Sequence, residues 1–450
     1  QTNKQTDRVS TMVAISRRQR GKRWCCSTQF MLLAVTFGLA IIYVQVSIRL
    51  LQGSNKSNTG NDRSQQQQQA MDVDVHRRDT SSFKVYQDWK DYAVQLAALP
   101  PETIVDTLKT QDPFGVRTFE TKLLETESRQ QRFLSLSELQ SLFPCPNDGE
   151  RITLPDQRNH DKARAFRNGT EPYFLFFQHL RKAGGTNFCT LAQRNLKKRQ
   201  VPKYYCMPDY HWKTNGRPCA GCFLRFSNKE IVEHMEEDGH KILGNEWDPF
   251  DPQRFFDLPA TFATSFRRPL DRALSQFRFE CIEDRGCKIK NVTQWWDKRS
   301  KDLTNVYVWT FSNEGLRRIT IGKTEEDARR RQLVMAKAMD VVAKFNLVMV
   351  MEWLAYAPTH VKNVLGFQDT NALLERVRPH IGQAKRNDGQ EHNNLGAAGI
   401  AKASWTPESY LPPALYTRMS HDLALDEILT DAARRMFLER IVCNDVSQFD

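Results

Sequence analysis

The sequence predicts an α/β protein built on a mostly parallel sheet covered by helices, and three stretches carry that expectation. Tyr173–Phe177 is an unbroken apolar and aromatic run of strand length, followed by a turn with Gly184 and Gly185 and then by helical spacing through Asn187–Leu196. Thr261–Phe266 repeats the order: Pro269 suits the first turn of a helix, and Leu270, Ala273, Leu274 and Phe277 form its apolar stripe. Further on, Glu326–Val342, Phe345–Val350 and Pro358–Leu365 read as helix, strand and helix. Strands that alternate with helices in this way are joined by crossovers, which favours parallel pairing.

The 450 residues, 40% of them hydrophobic, suffice for one large domain or two smaller ones. A net charge of +12 suits an anionic partner: nucleic acid, an acidic membrane surface or an acidic polysaccharide. The chain opens on Gln1, so a longer N-terminus and a start at Met12 are both open. Arg17, Arg18, Arg20, Lys22 and Arg23 precede an apolar stretch, Phe30–Leu51, long enough to cross a bilayer as a helix. The positive flank predicts a cytoplasmic tail over 1–29, a signal anchor over 30–51 and a lumenal remainder, the type II topology. A cleaved signal peptide is the alternative, and the lack of an A-x-A site after Ile42 favours the anchor. Residues 52–82, with glutamines at 65–69, are nearly devoid of apolar content and read as a disordered stem.

Residues 83–170 read as a lumenal helical extension. Tyr86, Trp89, Tyr92, Ala93 and Leu96 sit at helical spacing before Pro100 and Pro101, and Phe133–Leu142 suggests a second short helix. Packing on the main domain is favoured over acceptor recognition as its role. Tyr410–Ile441 reads as C-terminal helices. Eight cysteines follow the span, an even number that suits disulfides in an oxidising compartment. Cys281 with Cys287 is expected to close a local loop, and Cys206 to pair with Cys219 or Cys222. The CAGC at Cys219–Cys222 is also half a zinc site, but no second CxxC exists and His211, His234 and His240 lack ligand spacing, so no metal is expected. Sequons at Asn55, Asn168 and Asn291 are candidate glycosylation sites.

The turn after Tyr173–Phe177 is built to hold an anion. Gly184 and Gly185 allow close backbone approach, and the helix that follows directs its first N–H groups and positive dipole end at the bound group. The GxxxxGK[ST] of nucleotide-triphosphate loops is not met, because Lys182 precedes the glycine pair and Thr186 follows it. His179 stands where strand passes into loop.

HLRKAGGT, from His179 to Thr186, resembles the 5′-phosphosulfate loop of Golgi carbohydrate sulfotransferases, most closely the HxxKxGGT loop of the heparan sulfate 6-O-sulfotransferases. RRPLDRALSQFRFE, from Arg267 to Glu280, is similar to the family's 3′-phosphate motif, with Arg268 where the family usually has an acid. The resemblance spans 171–450 and implies a P-loop-like three-layer sandwich forming a sulfotransferase domain. It implies 3′-phosphoadenosine 5′-phosphosulfate (PAPS) as donor, no metal, a glycan acceptor and no nucleic-acid partner, in a Golgi membrane protein of single-pass type II topology. Lys182, Ala183, Gly184, Gly185, Thr186 and Asn187 would cradle the 5′-phosphosulfate, and Arg267 and Ser275 the 3′-phosphate. His179 would serve as catalytic base, and Lys182 would also neutralise charge on the leaving group. The histidine in the loop tilts the expectation towards a 6-hydroxyl. GNEWDP resembles an acceptor-cleft segment, making Glu246 and Trp247 candidate substrate contacts, with a capping glutamate and structural tryptophan as the other reading. Asn393 and Asn394 are candidates for a loop that closes over the donor.

Two other classes remain. A P-loop kinase or NTPase lacks its GK[ST] here, and a non-catalytic membrane-anchored glycan-binding protein would not require His179 and Lys182. A metal-dependent glycosyltransferase would want a lumenal DxD, and the one DxD, Asp72–Asp74, lies in the stem stretch.

Overall fold

In chain order the strands are Phe174–Gln178 (β1), Lys213–Thr214 (β2), Arg217–Pro218 (β3), Ile242–Asn245 (β4), Ala260–Phe266 (β5) and Leu347–Val350 (β6). β2 and β3 form a separate antiparallel pair. The other four make one all-parallel sheet in the order β4-β1-β5-β6. Every residue of these four strands is buried, as parallel sheets with helical crossovers require. Many helices accompany the sheet, giving an α/β sandwich. The computed structural model describes residues 86–146, 152, 157–203, 205–208, 212–214, 217–218, 223–246, 248–283, 288–289, 291–314, 324–374 and 406–443, which belong to one compact unit, Asp74–Asp450. The expected tail, anchor and stem lie outside these residues. Among the described residues no helix is long and apolar enough to cross a membrane.

Five helices matter for the site: Val116–Gln130 (α1), Gly185–Asn195 (α2), Pro269–Phe277 (α3), Val306–Ser312 (α4) and Ala424–Leu438 (α5). α2 directly follows β1 and α3 directly follows β5, so both leave the sheet from the carboxyl ends of neighbouring strands. Phenylalanines fill the centre. Phe176 packs on Phe223, Phe250 and Phe262, and Phe345 on Phe250, Phe255 and Phe311.

The extension shares this core. Leu96, Ile104, Leu108 and Phe119 belong to the same apolar cluster as Leu425, Leu429 and Phe437 of α5. Polar contacts reinforce the packing: the Tyr86 hydroxyl donates to Asp340 (3.0 Å), and Arg331 Nε donates to the Ala97 carbonyl (2.9 Å). Cys145 is bonded to Cys443, joining the extension to the segment after α5.

Several boundaries differ from the sequence expectation. β1 and β6 run Phe174–Gln178 and Leu347–Val350 rather than 173–177 and 345–350, and the helix before β6 extends to Ala343. α2 begins at Gly185, two residues earlier than the apolar spacing indicates, because its first residues face the loop instead of the core. β4 is not evident from sequence: ILGN is four residues long and half of it is glycine and amide. The Gly244 N–H donates to the Cys206 carbonyl (2.7 Å), and a Cβ at Gly244 would lie 3.1 Å from that oxygen.

The cysteine pairing is corrected. Cys206 is bonded to Cys189 on α2, not to Cys219 or Cys222, because the Cys206 carbonyl is held against β4, beside the strand that leads to α2. Cys281 is also disulfide-bonded, while Cys219, Cys222 and Cys287 lie outside the described residues. The bonds Cys145–Cys443 and Cys189–Cys206 suit a secreted or lumenal chain. Replacing Cys145 and Cys443 by serine is expected to remove about 2–5 kcal/mol of stability, measured as a lower urea midpoint than wild type. An unchanged midpoint would mean that the extension is held by packing alone.

Candidate functional site

β4 and β5 lie on opposite sides of β1, so the chain reverses its direction of growth across the sheet between β1 and β5. Open parallel sheets bind ligands at the carboxyl edge of such a switch point. The loop 179–184 and the corner Arg267–Arg268 both emerge there.

The two loops are tied together. β5 continues past the end of β1, where Gln178 is paired with Thr264. The Thr264 hydroxyl donates to the Gln178 carbonyl (3.0 Å), and the next hydroxyl, Ser265, donates to the Ala183 carbonyl (2.5 Å). Arg267 Nη1 reaches the Lys182 carbonyl at 3.4 Å. The turn closes on itself through the Ala183 N–H to the Leu180 carbonyl (3.0 Å), with Lys182 (φ 66°) and Gly184 (φ 97°) in the left-handed region. The first intrahelical bond of α2 runs from the Phe188 N–H to the Gly184 carbonyl (3.0 Å), which leaves the preceding N–H groups directed out of the helix N-terminus.

Glycine is required at both loop positions. A Cβ at Gly184 would lie 2.2 Å from Met351 Sδ, and one at Gly185 would lie 1.7 Å from His179 Nε2. The imidazole therefore lies directly over the start of α2. Its backbone N–H donates to the Asn245 carbonyl (2.9 Å), and its ring follows that of Phe177, stacked at 5.6 Å between centroids. His179 is buried, and its Nδ1 lies 4.0 Å from Glu246 Oε2. Glu246 also lies 3.8 Å from Arg181 Nε. A side-chain lattice of Gln178, Asn245 and the Asp248 backbone pins the ends of β1 and β4, which sets Glu246 beside the loop.

Cations line the same edge. Lys182 Nζ sits 4.0 Å from the Phe279 ring centroid, with Arg181 5.9 Å from that ring. Arg267 is half-buried, and its carbonyl accepts from the Tyr307 hydroxyl (2.8 Å). Tyr307 is fixed in turn by Asp426 of α5, whose Oδ1 accepts the Tyr307 and Val308 N–H groups, each at 3.0 Å, at the start of α4. Burial raises the Asp426 carboxyl to about 7, opposed by Arg272 and by these two N–H groups, and its Oδ2 is buried without a hydrogen-bond partner.

The fold thus brings His179, Lys182, Ala183, Gly184, Gly185, Thr186, Glu246 and Arg267 to one edge. Asn187 is turned sideways, its amide donating to the Ala372 carbonyl (3.1 Å). Ser275 is half-buried two turns along α3. Trp247, Asn393, Asn394 and Asn55 lie outside the described residues. Asn168 and Asn291 are exposed, and Asn291 Oδ1 caps the helix Val292–Leu303 by accepting from Thr293 and Gln294. Among the described residues no group of histidine, cysteine and carboxylate side chains could hold a metal ion. Sequence reasoning missed Ser265, Phe279, Tyr307 and Glu352. Ser265 and Phe279 were within reach, since both fall inside the second motif or the strand that leads to it. Tyr307 and Glu352 come from distant elements and carry no local signal.

Chemically the edge offers main-chain donors and guanidinium and ammonium groups for an anion, with a buried imidazole at its rim as a proton acceptor. Protein-family models, curated proteins and solved structures contain no match to this chain.

Two outcomes are expected from this geometry. Gly185→Ala should cost about 1–3 kcal/mol of stability and displace the His179 ring, read from denaturant unfolding and the imidazole NMR shifts; a silent substitution would mean the ring has room. For Asp426, the folded pKa near 7 stands above the ordinary 3.8. Its contribution is therefore intact below the ordinary value and lost as pH rises through about 7. Asp426→Asn, which keeps an accepting oxygen, should flatten the decline in urea midpoint between mildly acidic and mildly alkaline buffer.

Proposed function

We propose that this protein transfers the sulfuryl group of PAPS to a hydroxyl of a glycan, with a primary 6-hydroxyl the first to test. The observation that carries the reading is the convergence of the two motif loops at one switch point, with the His179 imidazole seated on Gly185 at the glycine pair. The donor set fits an anionic phosphosulfate. Both glycines are demanded by close neighbours, and Lys182 and Arg267 supply positive charge beside the helix N-terminus. In finer terms the α/β sandwich would be the P-loop-like three-layer type, with the N-terminal anchor holding the domain in the Golgi lumen.

In this reading the N–H groups of Gly185 and Thr186 hold the 5′-phosphosulfate, and Arg267 with Ser275 binds the 3′-phosphate. PAPS supplies an activated sulfur whose bond to the bridging phosphate oxygen breaks as the acceptor oxygen bonds to it. His179 Nε2, on the loop side of the ring, takes the proton that the acceptor hydroxyl loses. Glu246, facing Nδ1, favours the imidazolium that results. Lys182 leaves its aromatic seat on Phe279 to neutralise the oxygen on which charge develops. Glu246 is thus read as a partner of the base in place of an acceptor contact.

The test is transfer of labelled sulfate from PAPS to a panel of native and desulfated glycans. Wild type should transfer, His179→Ala should lose about 10²- to 10⁴-fold in kcat, and Arg267→Ala should weaken donor binding by about 1.5–3 kcal/mol. Glycan binding with no binding of adenosine 3′,5′-bisphosphate would favour the non-catalytic glycan-binding alternative and overturn the transferase.

A further inference from the structure

The corner between β5 and α3 is held at three points. The Tyr307 hydroxyl donates to the Arg267 carbonyl, Glu352 Oε1 accepts the Arg268 N–H (2.9 Å), and Arg268 Nη2 is paired with Glu120 Oε1 (3.0 Å). The first two clamps come from α4 and from the turn after β6. The third comes from α1, in the extension that precedes β1.

Glu120 is itself fixed. The same oxygen pairs with Arg434 of α5 at 2.8 Å, and the Arg434 guanidinium lies over the Trp353 ring at 4.3 Å. Burial opposes its charge, but Arg434, Arg268 and Arg117 outweigh that and hold the carboxyl below the ordinary range. Adjacent guanidinium groups on one corner repel each other and compete for one anion. With Arg268 drawn off to Glu120, Arg267 alone is directed at the loop, its Nη1 at the Lys182 carbonyl.

We propose that Glu120 is a positioning residue for the anion site: by holding Arg268 it fixes the corner and the reach of the Arg267 guanidinium. The inference rests on the reading of Arg267 as a 3′-phosphate contact, and it makes α1 part of the donor site.

The experiment is calorimetric titration of the full chain with adenosine 3′,5′-bisphosphate and, separately, adenosine 5′-monophosphate. The variants are Glu120→Gln, Arg267→Ala and the double substitution. Glu120→Gln should weaken the bisphosphate about tenfold and change the monophosphate by less than about twofold. The double variant should bind no more weakly than Arg267→Ala alone. Arg268→Met breaks the same pair while leaving Glu120 to Arg434, and should give the same selective loss if Glu120→Gln fails to fold. Equal loss on both nucleotides, no loss, or losses that add in the double variant would overturn the role of Glu120. A wild type that binds neither nucleotide overturns the donor reading and this inference with it, whereas a binding wild type with indifferent variants overturns this inference alone.

Discussion

The parallel register of β1 against β5 is the constraint on which the site depends. Because β5 outlasts β1, its last polar residues meet the end of β1 and the loop that leaves it, where two successive hydroxyls, Thr264 and Ser265, donate to the Gln178 and Ala183 carbonyls. A shift of one residue would turn each hydroxyl to the other face of the sheet and away from its carbonyl. The packing of β1 opposes such a shift, since Phe174 and Phe176 on one face and Phe177 on the other each occupy a packed position. Core packing and loop geometry are therefore one problem.

The strands β1, β5 and β6 were legible in the sequence because each is an apolar run bounded by turn residues or a helical pattern. β4 was not, since its identity depends on a partner strand and on the Cys206 carbonyl rather than on its own composition. The glycine turn after β1 was legible in the sequence, because two glycines after a buried strand mark a place where side chains do not fit. Its supports were harder to see. Glu246 was read as an acceptor contact, and its place beside His179 follows from the Gln178–Asn245 lattice, a product of strand pairing. Arg268 stood in the sequence as an unexplained departure, and its partner lies 148 positions away in a helix whose pattern says only that one face is apolar.

That distance bears on what the extension is. Its apolar residues enter the central core, and its charges enter a connected set in which Arg117 pairs with Asp431 and Glu427 while Glu120 joins Arg268 to Arg434. Buried ion pairs add little net stability, but they penalise any arrangement that leaves one member alone. The set therefore specifies how α1, α5 and the β5 corner meet more than how strongly they hold.

The bond between Cys145 and Cys443 gives the chain a covalent topology as well as a fold. The whole parallel sheet lies inside a single closed ring, while α1 lies outside that ring and packs on it. A protease that cuts any one loop within the ring opens the circle without releasing a piece, so the halves stay tethered until a reductant is added. A pull applied at Cys145 is likewise passed to Cys443, after the last helix, before it can unzip a strand of the sheet.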